Sequence, residues 1–102
     1  MRPTITPIIL EKEFIGKGDV KGFKFTQIAS AQRAYVYEID SGDNNTHYEV
    51  FLRKSARRCI DFEKRIYSET EFKEYYPRTE YFGAWAWTYN NIEKAYKKFL
   101  EL

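Results

Sequence analysis

The chain has 102 residues, a formal net charge of +2, 43% hydrophobic and 31% charged residues. That length is near the modal size of one domain and too short for two ordinary cores, and so small a charge excludes the strong basic excess that by itself signals nucleic-acid binding. The lone Cys59 cannot pair within the chain, which excludes a disulfide-built domain and suits a reducing, cytoplasmic setting.

No internal repeat, low-complexity segment or Pro/Ser-rich linker divides the chain, so a single domain over residues 1–102 is expected. The apolar run at residues 8–10 is too short for a signal sequence and charges follow it at once. No stretch reads as a membrane span, so no membrane association is expected.

In chain order, residues 7–15, PIILEKEFI, predict a strand beginning at Pro7, and GKGDVKG behind it, with Gly16, Gly18 and Gly22 close together, predicts a turn. FKFTQI sets Phe23 and Phe25 against Lys24 and Thr26. After a break at ASAQR, AYVYEI sets Tyr35, Tyr37 and Ile39 against Ala34, Val36 and Glu38. Both alternate with a period of two and predict an antiparallel hairpin. DSGDNNT is a polar turn cluster. HYEVFLR follows, with Tyr48, Val50 and Leu52 on one side and His47, Glu49, Phe51 and Arg53 on the other, and predicts a third antiparallel partner.

Residues 54–76 carry a weaker pattern. Ile60 and Phe62 stand at strand spacing, whereas a helical stripe through Ile60, Glu63, Tyr67 and Glu71 would contain two acids. The β-branched and aromatic content near Ile66, Tyr67 and Phe72 favours one or two strands, and Pro77 ends the pattern. Read as a strand, GAWAWTY puts Trp85, Trp87 and Tyr89 on one face and Ala84, Ala86 and Thr88 on the other. Alternation does not decide which of the two faces meets a helix.

The closing segment predicts that helix. Asn90 followed three residues later by Glu93 resembles a capping box, and Ile92, Ala95, Tyr96, Phe99 and Leu100 form an apolar stripe opposed by Glu93, Lys94, Lys97, Lys98 and Glu101. The sheet is the surface available to it. The expected fold is α+β: an antiparallel, mostly meandering sheet of four to six strands with a C-terminal helix packed on one face.

Chemistry-bearing motifs are scarce. His47 could be oriented by Glu49 or Glu38 with Cys59 as nucleophile, but no spacing supports such a pair, and a tetrahedral zinc site would need two carboxylates beside one His and one Cys. GKGDVKG lacks the spacing of a phosphate-binding loop, and DSGDNNT lacks the sixth-position glycine and closing glutamate of a calcium loop. Asn44, Asn45 and Thr46 form a glycosylation sequon, relevant only on a secretory route. A non-enzymatic protein without metal or cofactor is expected.

Aromatic residues make up 19% of the chain. Tyr35, Tyr37, Tyr48, Trp85, Trp87 and Tyr89 are therefore candidates for binding a protein partner, with a homo-oligomer open as well. The alternative is nucleic acid, through Arg53, Lys54, Arg57 and Arg58 beside Tyr48 and Phe51. Against it, residues 61–80 hold six acids and four bases, so the cationic character is local.

The strings KGFKFTQI, AYVYEI, HYEVFLRK, FGAWAWTY and IEKAYKKF resemble a group of small uncharacterised proteins carried by phages and other mobile elements of anaerobic gut bacteria. The resemblance covers about residues 20–100, is most specific at Phe82, Gly83, Trp85, Ala86 and Trp87, and departs at residues 59–76. The group has no assigned activity. The resemblance implies an accessory intracellular role and no mechanism.

Overall fold

The structure, a computed structural model, describes residues 8–61 and 63–102, with Asp19 and Thr70 described through their backbone. Pro7 and Phe62, placed in strands by the sequence pattern, lie outside the described residues. The elements are β1 (Glu13–Ile15), β2 (Lys24–Ser30), β3 (Ala34–Asp40), β4 (Thr46–Leu52), β5 (Ser55–Asp61), β6 (Ile66–Glu74), β7 (Ala86–Tyr89) and the helix α1 (Ile92–Glu101). They group into two compact units. One takes in residues up to Leu10 and Lys54–Tyr76, the other Glu11–Arg53 and Pro77–Leu102.

The larger unit is a five-stranded antiparallel sheet in the order β1-β2-β3-β4-β7, with α1 packed on it. The α+β architecture read from the sequence is the one observed. Its first four strands form a meander, because short turns return the chain to the neighbouring position. The turn between β3 and β4 holds Gly42, Asp43 and Asn44 at positive φ, residue types that enter this region at low cost, and the Asp40 carboxylate accepts from the Gly42 amide at 2.9 Å.

Register assigns the two faces. Phe14 lies opposite Phe25, Phe25 opposite Ile39, Tyr35 opposite Phe51 and Phe51 opposite Ala86. This face carries Phe25, Tyr35, Tyr37, Ile39 and Phe51, all buried. On the other, Val36 faces Val50 and Val50 faces Trp87. There Ala95 of α1 closes a core with Val36 and Val50, flanked by Ile28, Ala29, Tyr48, Tyr89, Phe99 and Leu102.

Three boundaries differ from the sequence reading. In residues 8–15 the sheet takes up Glu13–Ile15, while the Glu11 carbonyl accepts from the Tyr37 hydroxyl at 2.7 Å instead of joining a ladder. The helix cap is Asn91 rather than Asn90: its side chain accepts from the amides of Glu93 at 2.7 Å and Lys94 at 3.3 Å. The buried stripe of α1 is narrower than predicted. Ala95 is buried, but Ile92 is exposed and Leu100 is 82% exposed.

The smaller unit is an antiparallel ribbon of β5 and β6. Ile8 runs parallel beside Lys73, donating to the Phe72 carbonyl and accepting from the Glu74 amide, each at 2.8 Å. The buried Glu74 carboxylate accepts from the Leu10 amide at 3.1 Å. Two strands thus replace the ambiguous pattern of residues 54–76.

Gly16 is the most confined of the glycines. A Cβ there would stand 2.4 Å from the Val20 carbonyl oxygen and 2.9 Å from the Phe25 ring. Gly16→Ala is expected to cost about 1–3 kcal/mol through overpacking. Asn91→Ala is expected to cost about 1 kcal/mol through the lost cap. Urea unfolding of both variants, with unchanged slope and lowered midpoint, checks the two values.

Candidate interaction surface

The aromatic candidates fall into separate places. Tyr35 is 2% exposed and Tyr37 fully buried. Tyr37 stacks on Phe51 at 5.6 Å between ring centroids and meets Tyr35 edge-on at 5.9 Å and Phe14 at 5.8 Å. The Gln27 amide donates to its hydroxyl at 3.0 Å. Both tyrosines belong to the interior of the sheet's aromatic face and present no ring to a partner.

Tyr48 and Tyr89, paired across β4 and β7, are half-buried against the helix-side core. Trp87 shares their face, and Lys98 of α1 places its ammonium 4.1 Å from the indole centroid, a cation–π contact that covers one ring face. Trp85 does not share the strand with them. It lies in the turn before β7, where Gly83 adopts φ 97°, and its amide donates to the Tyr81 carbonyl while its ring packs on Tyr81 at 5.0 Å. Trp87 is thus partial core, and Trp85 a half-buried side chain of the preceding turn.

The basic segment is also divided. Arg53 belongs to the larger unit; its guanidinium lies 4.7 Å from the Tyr35 ring and donates to the Ala31 carbonyl at 3.1 Å. Arg57 lies over Tyr67 at 5.6 Å, and Arg58 pairs with Glu71 at 2.9 Å. Lys54 accepts at its carbonyl from the Tyr75 amide. Adjacent strand positions send Arg57 and Arg58 toward opposite faces of the ribbon. Arg53, Arg57 and Arg58 therefore each have neighbours of their own chain.

His47 Nε2 stands 3.7 Å from Glu49 Oε2, beyond hydrogen-bond reach, and Thr88 Oγ1 donates to the same carboxylate oxygen at 3.4 Å. Among the described residues, no three of His, Cys, Asp and Glu gather as metal ligands, and no helix is long and apolar enough to cross a membrane.

The sequence pattern did not single out the ribbon's own surface. Ile60 is 66%, Ile66 46% and Tyr67 44% exposed, and Cys59 is exposed beside them. Every residue of β5 except Asp61 is exposed. The signal was present in the sequence as β-branched and aromatic residues set among charges, with no second segment of matching apolar pattern to cover them. No family model matches the chain, and no curated protein or solved structure matches it.

Lys98→Ala is expected to uncover one face of Trp87. In a Trp85→Phe background, acrylamide quenching of the remaining indole should rise relative to the Lys98 parent, with a loss of about 0.5–1 kcal/mol in stability. Unchanged quenching would mean that Lys98 does not shield the ring in solution.

Proposed function

We propose that this protein is a non-enzymatic protein-binding module that meets its partner through the β5–β6 ribbon, in the accessory role that its resemblance to small phage and mobile-element proteins implies. The observation that carries the reading is the exposure of Ile60, Ile66 and Tyr67 on one short pair of strands. Burying the surface each still exposes would contribute about 1 kcal/mol or somewhat more, a part of what a specific contact needs against the costs of association. Exposed apolar side chains gathered on one element are the usual mark of a recognition surface.

The charge balance speaks for protein over nucleic acid. Residues 54–76 hold six Lys and Arg against five Asp and Glu, a balance without the broad basic excess that a nucleic-acid backbone calls for.

Ile60→Glu tests the reading, since an exposed side chain can be changed with little effect on folding. In paired affinity captures from lysate of the source organism, proteins retained by the wild type should be lost with Ile60→Glu, while thermal unfolding stays within about 0.5 kcal/mol. Retention of the same proteins by both forms would overturn the proposal. So would retention of nucleic acid that falls away steeply as salt rises.

A further inference from the structure

The backbone edge of β5 bears on what kind of partner the ribbon takes, and the step rests on the reading of the ribbon as the contact element. β5 pairs with β6 on one side, and among the described residues no strand pairs with its other side. Its seven residues are exposed except for the half-buried Asp61. A free strand edge presents alternate N–H and C=O groups that water satisfies and that another extended backbone can satisfy in register.

The edge is regular enough to be used. Arg57 pairs with Phe72 and Cys59 with Tyr67, so a step of two residues on β5 stands against five on β6. The extra residues of that shift therefore bulge from β6, where the Ser68 hydroxyl accepts from the Glu71 amide at 2.9 Å. Residues 55–59 run on as plain strand, long enough for a peptide of four or five residues, and end where a second shift sets two residues of β5, Cys59 to Asp61, against one of β6.

Charge selects among the strands that could add. Arg57 and Arg58 sit in the middle of this edge with Lys54 just before it. A second copy of β5 aligned antiparallel about either arginine would set Arg57 against Arg57 or Arg58 against Arg58, and like charges directly opposite destabilise a strand pair. An incoming strand with alternate acids, one of them opposite Arg58, gains instead. The Arg58–Glu71 pair is no obstacle, because both side chains are more than half exposed and such surface pairs exchange at little cost. We infer that β5 is a docking edge for an extended acidic peptide segment of a partner protein, bound by strand addition, with the peptide's acids on the face of Arg58 and its alternate apolar side chains on the face shared by Cys59 and Tyr67.

The test uses the full chain and synthetic nine-residue peptides in which Val alternates with Glu, Lys or Ser, read by fluorescence anisotropy. The Glu peptide should bind at least about tenfold more tightly than the Lys or Ser peptide, and Arg57→Glu with Arg58→Glu should reverse the order. N-methylating one alternate set of amides in the Glu peptide should abolish binding, while methylating the other set should leave it within about twofold. Equal binding of the three peptides, absence of binding, tolerance of both methylated sets, or equal competition by a single-stranded oligonucleotide would each overturn strand addition by an acidic segment. If the peptides fail while Ile60→Glu still abolishes capture, the peptide class is wrong and the ribbon reading stands. If capture is also indifferent to Ile60→Glu, both fall.

Discussion

The larger unit depends on the burial of Tyr37. Its ring has no exposed surface and is held between Phe51, Tyr35 and Phe14, while its hydroxyl donates to the Glu11 carbonyl and accepts from Gln27. A phenol in that position is stable when its oxygen is satisfied, and an unsatisfied one would cost about 1–3 kcal/mol. The two hydrogen bonds therefore do more than add their own energies. They fix where the chain before β1 passes and which side of β2 faces the aromatic layer, so one side chain coordinates β1, β2, β3 and β4. Phe14 stacked on Phe25 at 4.7 Å extends the layer to the edge strand.

The helix side is built from smaller pieces. Ala95 brings α1 close to Val36 and Val50, and the larger groups Tyr48, Tyr89 and Phe99 close the gap around that contact. A narrow contact of this kind leaves much of a ten-residue helix in water, which is why Leu100 and Ile92 are exposed although they continue the apolar spacing. Trp87 completes the rim under Lys98. The two tryptophans, two positions apart in sequence, thus have different work: one walls the helix-side core, the other stiffens a turn.

The strands with strict alternation were legible because period-two patterning has one structural solution when a face is buried. Tyr35, Tyr37 and Ile39 against Ala34, Val36 and Glu38 settle both faces of β3 without tertiary knowledge. What such a pattern cannot carry is the identity of the layer covering each face, so the side on which Trp87 lies had to come from the register of β4 with β7. Trp85 was misplaced because alternation continues through Ala84 into Gly83, whose positive φ turns the chain before the strand begins. Asn90 and Asn91 are equivalent cap candidates by type, and only the backbone at Asn91, with φ −124°, lets its side chain reach two free amides. The ribbon's exposed isoleucines escaped notice for a related reason: composition counts apolar residues, but exposure depends on whether something is present to cover them.

The Leu52 amide donates to the Trp85 carbonyl at 3.0 Å, so the chain that leaves the sheet after β4 returns beside its own point of departure. Residues 53–84 are therefore an excursion between two neighbouring strands, closed by the sheet itself. The entropy of such a closure rises slowly with length, by about 0.6 kcal/mol per doubling. Closure entropy alone therefore sets little limit on the length of that excursion. What ties the ribbon down lies outside that loop: Ile8 and Leu10, far earlier in the chain, hold β6 through the backbone of Phe72 and Glu74 and the Glu74 carboxylate, so any other ribbon would leave those amides in search of a partner.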